Sequence, residues 1–526
     1  MYQQVFDPVA HSLSWSALFA SIPLLTLFVT LGVLRWEARR AALLSLAVSI
    51  VIATGIYAMP LGQALAGAAE GAAIGFFPIL WVGISAIWLY RLTEVNGHSL
   101  ALRHAFDSVS DDLRIQVIFI ACCFGSLLEG LAGGGSPVAI CTVMLIALQV
   151  PPVKAAVICL IADTAPVSFG ALGLPINTLS KLTGLPVAPL SAMVGRQTPL
   201  LALFLPFILL YILDGRRGLR EVWPFALVTG LSLAVGECVG SAMLPVELVD
   251  IAAALATSAL CVAFLRAWKP GPKIPAQDMA RALVPYFFVV LVVVAAQIPA
   301  VRAVLGAATS TFHWPGLAVT GPNGSLVSAV EAKFEWLLSS GSLLLMSGAL
   351  VVPFLGVNLK TAVKTYGETL YHLRWTVVTV SSVVGLAYVM NLSGQIITLG
   401  MWAAGAGSAF APISPLIGWL GSAVTGSDTS SNALFGMLQV TTARHAGLPE
   451  ILLAAANTSG GVVGKAISPQ NLSIAAVAVG LPGREGYLFR QVFGWTVLLI
   501  AILSLLVFLQ STAVLSWMVP DGWSRP

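Results

Sequence analysis

Four ionisable residues, Glu129, Asp163, Asp428 and Lys465, lie in stretches otherwise apolar enough for lipid, and each sits beside a run of helix breakers. Glu129 is followed by Gly130-Leu131-Ala132-Gly133-Gly134-Gly135-Ser136-Pro137. Asp163 opens Asp163-Thr164-Ala165-Pro166, with Gly170-Ala171-Leu172-Gly173-Leu174-Pro175-Ile176-Asn177 close behind. Asp428 belongs to Gly426-Ser427-Asp428-Thr429-Ser430-Ser431-Asn432, and Lys465 stands between Ala456-Asn457-Thr458-Ser459-Gly460-Gly461 and Ser468-Pro469-Gln470-Asn471. Inside a helix glycine costs about 1 kcal/mol and proline about 3, so regular helix cannot run through these strings. Broken backbone at membrane depth survives only where protein buries it or where it lines a watery cavity.

Such breaks have their own chemistry. A half-helix that starts within the membrane presents free N–H groups and the positive end of its dipole, which suits an anion, while exposed carbonyls suit a cation. Intramembrane ionisable residues mark pathways and relays. Lys465 is the candidate fixed charge for a carboxylate substrate, or else for an acidic partner such as Asp428, with which it would brace the two halves of the second break. A carboxylate taken out of water without a partner favours its neutral form, so Glu129, Asp163 and Asp428 are candidate proton carriers. Glu70 and Glu237, close to span ends, read as structural or interfacial. Arg196 reads either as an outer-interface residue or as a second anion ligand.

The elements that hold these residues must be membrane helices. Of 526 residues 58% are hydrophobic and 9% charged, with a mean hydropathy of +0.93, against about 25% charged in soluble chains. A net charge of +4, scattered over the chain, gives no footprint for a nucleic-acid partner. The six cysteines lie in apolar stretches without metal-ligand spacing and read as small hydrophobes. No cofactor or metal is expected. His-Glu-x-x-His and Gly-x-Ser-x-Gly strings are absent, which argues against an embedded enzyme. The N-terminal stretch has no positive region before its apolar run, so a cleaved signal peptide is not expected.

Counted against the roughly 20 apolar residues a crossing needs, the uncharged runs predict spans at 14–34, 41–59, 71–90, 200–213, 222–244, 251–265, 283–301, 336–354 and 492–518. The charge-free run 375–427 is long enough for two crossings and an extra piece. Lys and Arg cluster at 35–40, 91–114, 216–220, 266–281 and 360–374, and the positive-inside rule puts these loops in the cytoplasm and the N-terminus outside. His98, His104, Asp111 and Asp112 then belong to a solvated cytoplasmic connector. The expected fold is an all-α polytopic membrane protein of about 12–14 transmembrane helices, broken helices and re-entrant hairpins included. Its expected parts are a first repeat (1–220, broken at 115–181), connecting helices (221–305), an outer-face loop (306–335) and a second repeat (336–526, broken at 405–481). A Gly/Ser cluster followed by Pro-x-Asn occurs in both broken segments, at Pro175-Ile176-Asn177 and Pro469-Gln470-Asn471. The span count starts them from opposite faces, which makes the repeat inverted. Paired, interrupted segments of this kind point to a transporter's substrate site.

The strings Glu129-Gly130 with Pro137-Val138-Ala139-Ile140, Thr164-Ala165-Pro166-Val167-Ser168-Phe169-Gly170-Ala171, Gly426 through Phe435, and Ala455-Ala456-Asn457-Thr458-Ser459-Gly460-Gly461 through Lys465 to Gln470 resemble the lactate permease family. The resemblance implies a bacterial inner-membrane secondary transporter that takes up lactate or glycolate with a proton, built from two inverted repeats with re-entrant hairpins. On that basis Gly134, Gly135, Ser136, Ser427, Asn432 and Asn457 are expected to bind the substrate's carboxylate and hydroxyl. Lys465 would attract it, and Asp163, Asp428 or Glu129 would carry the proton. The chain has Gly134 where an aromatic residue is usual in the family and Asp163 where asparagine is usual, changes that would widen the site and add a titratable group. The alternative is a sodium-coupled carboxylate carrier, in which Ser430-Ser431-Asn432 beside broken carbonyls holds Na⁺.

Overall fold

The computed structural model describes residues 2–34, 36–95, 110–131, 133, 135–268, 284, 287–289, 291–296, 298–321, 327, 331–481 and 484–520; the side chain of Ser136 is not among the parts described. The described chain is predominantly helical. Eight stretches are long and apolar enough to cross a membrane, or up to eleven when each sharply bent helix pair counts as one span. His98 and His104, and positions 283, 285, 286, 290 and 297 of the span expected at 283–301, lie outside the described residues.

One group of helices forms a scaffold: Leu13–Phe28, Ala38–Gly55, Leu61–Ile74, Trp81–Val95 and the long Leu359–Ser393. Its tightest crossing is made by glycine. A Cβ on Gly71 would stand 2.7 Å from the Gly385 Cα, so the two backbones touch as small residues allow in membranes. At one end the Tyr2 hydroxyl donates to the carbonyls of Tyr57 (2.9 Å) and Ser393 (3.0 Å). Strand Tyr2–Gln3 pairs there in parallel with Val319–Thr320, and Ser310–His313 pairs antiparallel with Glu331–Phe334. The loop expected at 306–335 thus carries short β-structure.

The spans expected at 200–213 and 222–244 are two arms of one hairpin, Pro199–Met243, turned at Gly215 with φ +60°. A Cβ on Gly230 would lie 2.5 Å from the Leu203 carbonyl oxygen. The hairpin packs on Val249–Trp268.

Two broken regions fill the rest of the core, and they share one succession of elements. In the first, Leu113–Leu131 leads to glycines with positive φ (Gly133, Gly135), then Ser136–Ala147, a turn with left-handed Gln149 and Pro151, then Pro152–Ala162. In the second, Phe410–Thr425 leads to Gly426 with positive φ, then Asp428–Ala446, a turn with left-handed Gly447 and Pro449, then Glu450–Lys465. Each then breaks again and resumes, after Asp163 in one and after Lys465 in the other, with a helix whose first turns hold Pro175 or Pro469. The breaks fall where the glycine and proline strings required them.

Candidate functional site

The second break of each region ends its preceding helix on an ionisable residue, and these two residues meet. Lys465 Nζ lies 2.6 Å from Glu129 Oε1 and 3.2 Å from Asp163 Oδ2, with all three side chains buried. The Asn471 side chain sits 3.5 Å from Asp163 Oδ2. Local backbone makes room for the group: a Cβ on Gly170 would stand 2.7 Å from Glu129 Oε1, and one on Gly135 would clash with Ile474 at 2.6 Å. Between Asp163 and the helix carrying Pro175 the chain passes through three consecutive left-handed residues, Ala171, Leu172 and Gly173, of which only glycine adopts that conformation without cost.

A cavity of about 490 Å³ reaches this group. Glu129, Gly133, Gly170, Ala171 and Lys465 line it from one side, and Ser427, Asp428, Thr429 and Ser430 from the other. The latter four are the start of Asp428–Ala446. Gly426 in the left-handed region ends the preceding helix, and Ser427 caps the new one through its hydroxyl on the Ser430 N–H at 3.3 Å. The cavity thus joins a fixed cation and a helix N-terminus, both favourable to an anion. At its mouth stand Glu37, Arg39 and Trp375, with the Arg39 guanidinium 3.7 Å over the Trp375 ring. Asp428 is buried with no hydrogen-bond partner on either oxygen and does not pair with Lys465. The bracing pair considered from sequence is therefore replaced by Lys465 with Glu129 and Asp163.

Asn432 and Asn457 are placed differently. Asn432 donates to the Pro175 carbonyl (3.1 Å) and accepts from Asn457 Nδ2 and Thr458 Oγ1 (2.9 Å each), and Asn457 Oδ1 accepts from Gln439 (3.2 Å). Their amides fasten the two broken regions together and lie away from the cavity lining. Gly135 caps Ser136–Ala147 with φ +85° against the helix that begins at Pro469. Gly134 falls outside the described residues, as does the Ser136 side chain.

Glu70 and Glu237, read from sequence as near the interface, are both fully buried; Gly71 in one case and Gly236 and Gly240 in the other let neighbouring helices close over them. Arg196 is half-buried and donates to the Met518 carbonyl at 2.6 Å, bracing the C-terminal segment away from the cavity. The sequence reading missed Asp250, 2% exposed, because it stands at the head of its span and resembles a first-turn helix acid. It also missed Arg39 and Trp375, whose approach depends on packing between distant helices. Five cysteines are buried and Cys238 is exposed, none of them in a disulfide.

Comparison with known proteins gives this geometry a setting. A family model described as L-lactate permease matches residues 16–514. The L-lactate permease of Bacillus subtilis (strain 168) is 38% identical over 99% of this chain and 100% of its own. Glycolate permease GlcA of Escherichia coli (strain K12) is 37% identical over 97% and 98%, and the L-lactate permease of the same strain 36% over 99% and 100%. Among solved structures, the YdaH transporter of Alcanivorax borkumensis aligns over 87% of this chain and 88% of its own with a TM-score of 0.45 and 14% identity. The family match runs from the first span to beyond the last long helix, and the chain belongs to the L-lactate permease family, as a multi-pass membrane permease and not an enzyme.

Proposed function

We propose that the protein is a secondary active transporter that carries small 2-hydroxymonocarboxylates, lactate and glycolate, together with protons across the bacterial inner membrane. The observation that carries this reading is the cavity in which Lys465 and the N-terminus of Asp428–Ala446 converge. A substrate carboxylate there competes with Glu129 and Asp163 for Lys465. The acid it displaces is left buried without its cation and takes a proton, because an isolated carboxylate is costly at that depth. Substrate and proton then bind together. One proton with one monoanion moves no net charge, so uptake follows the pH gradient and not the roughly 2.3 kcal/mol per charge that 100 mV supplies.

The substrate names come from the relatives, which are L-lactate and glycolate permeases. Opposed half-helices at mid-depth are the arrangement expected of inverted repeats, and the recurring element order supports that relation. Under the positive-inside assignment the mouth at Arg39 and Trp375 faces the cytoplasm, an inward-open state.

The test is uptake of labelled L-lactate into proteoliposomes under an imposed pH gradient or an imposed sodium gradient. Accumulation driven by pH without sodium is expected. Uptake that requires Na⁺ and ignores pH overturns proton coupling and favours Na⁺ beside Asp428 and Ser430; failure of lactate and glycolate to compete overturns the substrate.

A further inference from the structure

Among the described residues, six acids are buried (Glu70, Glu129, Asp163, Glu237, Asp250 and Asp428) and only one Lys or Arg is, Lys465. Lys465 engages Glu129 and Asp163, and Asp428 lines the cavity. Two of the remaining acids take no part in the cavity lining: Asp250, packed behind Glu129, and Glu237, on the neighbouring helix. A buried carboxyl apart from a cation is costly to leave charged, so such groups are placed to take up and pass on protons.

They lie on adjacent helices behind Glu129. Asp250 packs against Gly130, the residue after Glu129; a Cβ on Gly130 would stand 2.8 Å from the Asp250 Cβ. Asp250 lies within electrostatic reach of Glu237, Glu129, Lys465 and Asp163, and its Oδ2 has no hydrogen-bond partner. Glu237 sits between Gly236 and Gly240, which bring its helix onto Ala253 and Val249; a Cβ on the two glycines would stand 3.0 Å and 3.5 Å from them. One Glu237 oxygen is 3.4 Å from the Thr198 hydroxyl and the other has no partner. Thr198 adjoins Gln197, which is bonded to Ser459 and Gln510, and Gln510 in turn donates to the Arg196 carbonyl. Arg196 is half-buried at the end of the hairpin opposite the Arg216–Arg220 turn.

Resting on the proton-coupled reading above, we propose that Glu237 and Asp250 form a proton relay that joins the outer end of the hairpin to Glu129 and Lys465, apart from the cavity through which substrate passes. Each transfer follows the loss of a proton ahead of it: ionised Glu129 takes a proton from Asp250, the Asp250 carboxylate so formed takes one from Glu237 through intervening water, and the Glu237 carboxylate takes one from water at the outer end of the hairpin on the Thr198 side. When substrate occupies Lys465, the freed Glu129 draws the proton inward. When substrate leaves and none replaces it, Lys465 returns to Glu129 and the proton is released to the open cavity; a fresh substrate that binds first finds Glu129 still protonated, so exchange does not call on the relay. Substrate and proton meet only at Lys465.

The test compares two modes of transport in proteoliposomes for wild type, Asp250→Asn, Glu237→Gln and Thr257→Val, the last removing a buried hydroxyl of the same helix as Asp250. Equilibrium exchange of labelled for unlabelled L-lactate moves loaded carrier both ways with no net proton transfer. Accumulation driven by a pH gradient requires protonation and release in every cycle. The relay predicts that both acid variants lose accumulation at least about 20-fold while exchange falls less than about threefold, that Asp250→Glu recovers part of the accumulation, and that Thr257→Val loses neither. Acid variants that keep accumulation overturn the relay. So do variants that lose both modes, since the acids then serve substrate movement or folding. If wild type itself shows no pH-driven accumulation, proton coupling fails before any variant is compared, so the two failures are separable.

Discussion

The two broken regions follow the same order of elements and end their third helices on residues of opposite charge, Asp163 in the first and Lys465 in the second. Their surroundings differ more than their order. The second region is tied by side chains: Ser427 and Ser468 cap helices, and Asn432, Asn457, Thr458, Gln439 and Ser414 form a closed hydrogen-bond network, while the Asp428 oxygens beside the cavity are left without partners. The first is strained. It carries left-handed Ala171 and Leu172 and buried oxygens of Glu129 and Asp163 without partners. A satisfied polar network rigidifies its surroundings, whereas strain persists where a second conformation is useful. On the proposed reading the second region is the preorganised anion receptor and the first the side that yields when Lys465 changes partner.

The harshest way to break this comparison is Lys465→Met. Removing one partner of a buried ion pair costs about 3–5 kcal/mol, and here it strands two acids, so thermal unfolding drops steeply. The double variant Lys465→Met with Glu129→Gln is expected to recover part of that loss; no recovery would mean that the charges are not what couples the regions. Next comes Asn432→Ala, which frees the Pro175 carbonyl and strips partners from Asn457 and Thr458. About 2 kcal/mol of stability is expected to go, with lactate KM rising as the regions loosen. Ser427→Ala removes one cap at the cavity, costs about 1 kcal/mol and raises KM a few-fold with little change in maximal rate. The smallest effect carries the opposite sign. Ala171→Gly relieves a left-handed alanine, and since that conformation costs roughly 1 kcal/mol it is expected to raise the melting temperature slightly, whereas the same change at a strain-free position would lower it.

Composition alone made lipid the solvent, and the glycine and proline strings located both sets of breaks, because a helix interior penalises those residues wherever the chain goes. Lys465 was legible as a buried cation for the same local reason. Its partners were not. Asp428 is nearer in sequence than Glu129 or Asp163, yet the fold brings the distant acids to 2.6 and 3.2 Å, a choice made by packing between the two regions. Asn432 and Asn457 were legible as polar residues that need partners in lipid, but whether a buried amide faces substrate or another amide depends on helix rotation. Glu70 and Glu237 read as structural or interfacial because span ends blur by several residues; the glycines beside them were the available sign that other helices would cover them. Asp250 stands immediately before the uncharged run 251–265, where an acid is easily taken for a flank.

The central claim is that the carboxylate of the substrate is held by Lys465 in the second region. Isothermal titration of purified protein with L-lactate, wild type against Lys465→Met at matched fold content, tests it most directly. The account predicts a measurable binding isotherm for wild type and none at the same concentrations for the variant. Equal affinity in both would contradict it.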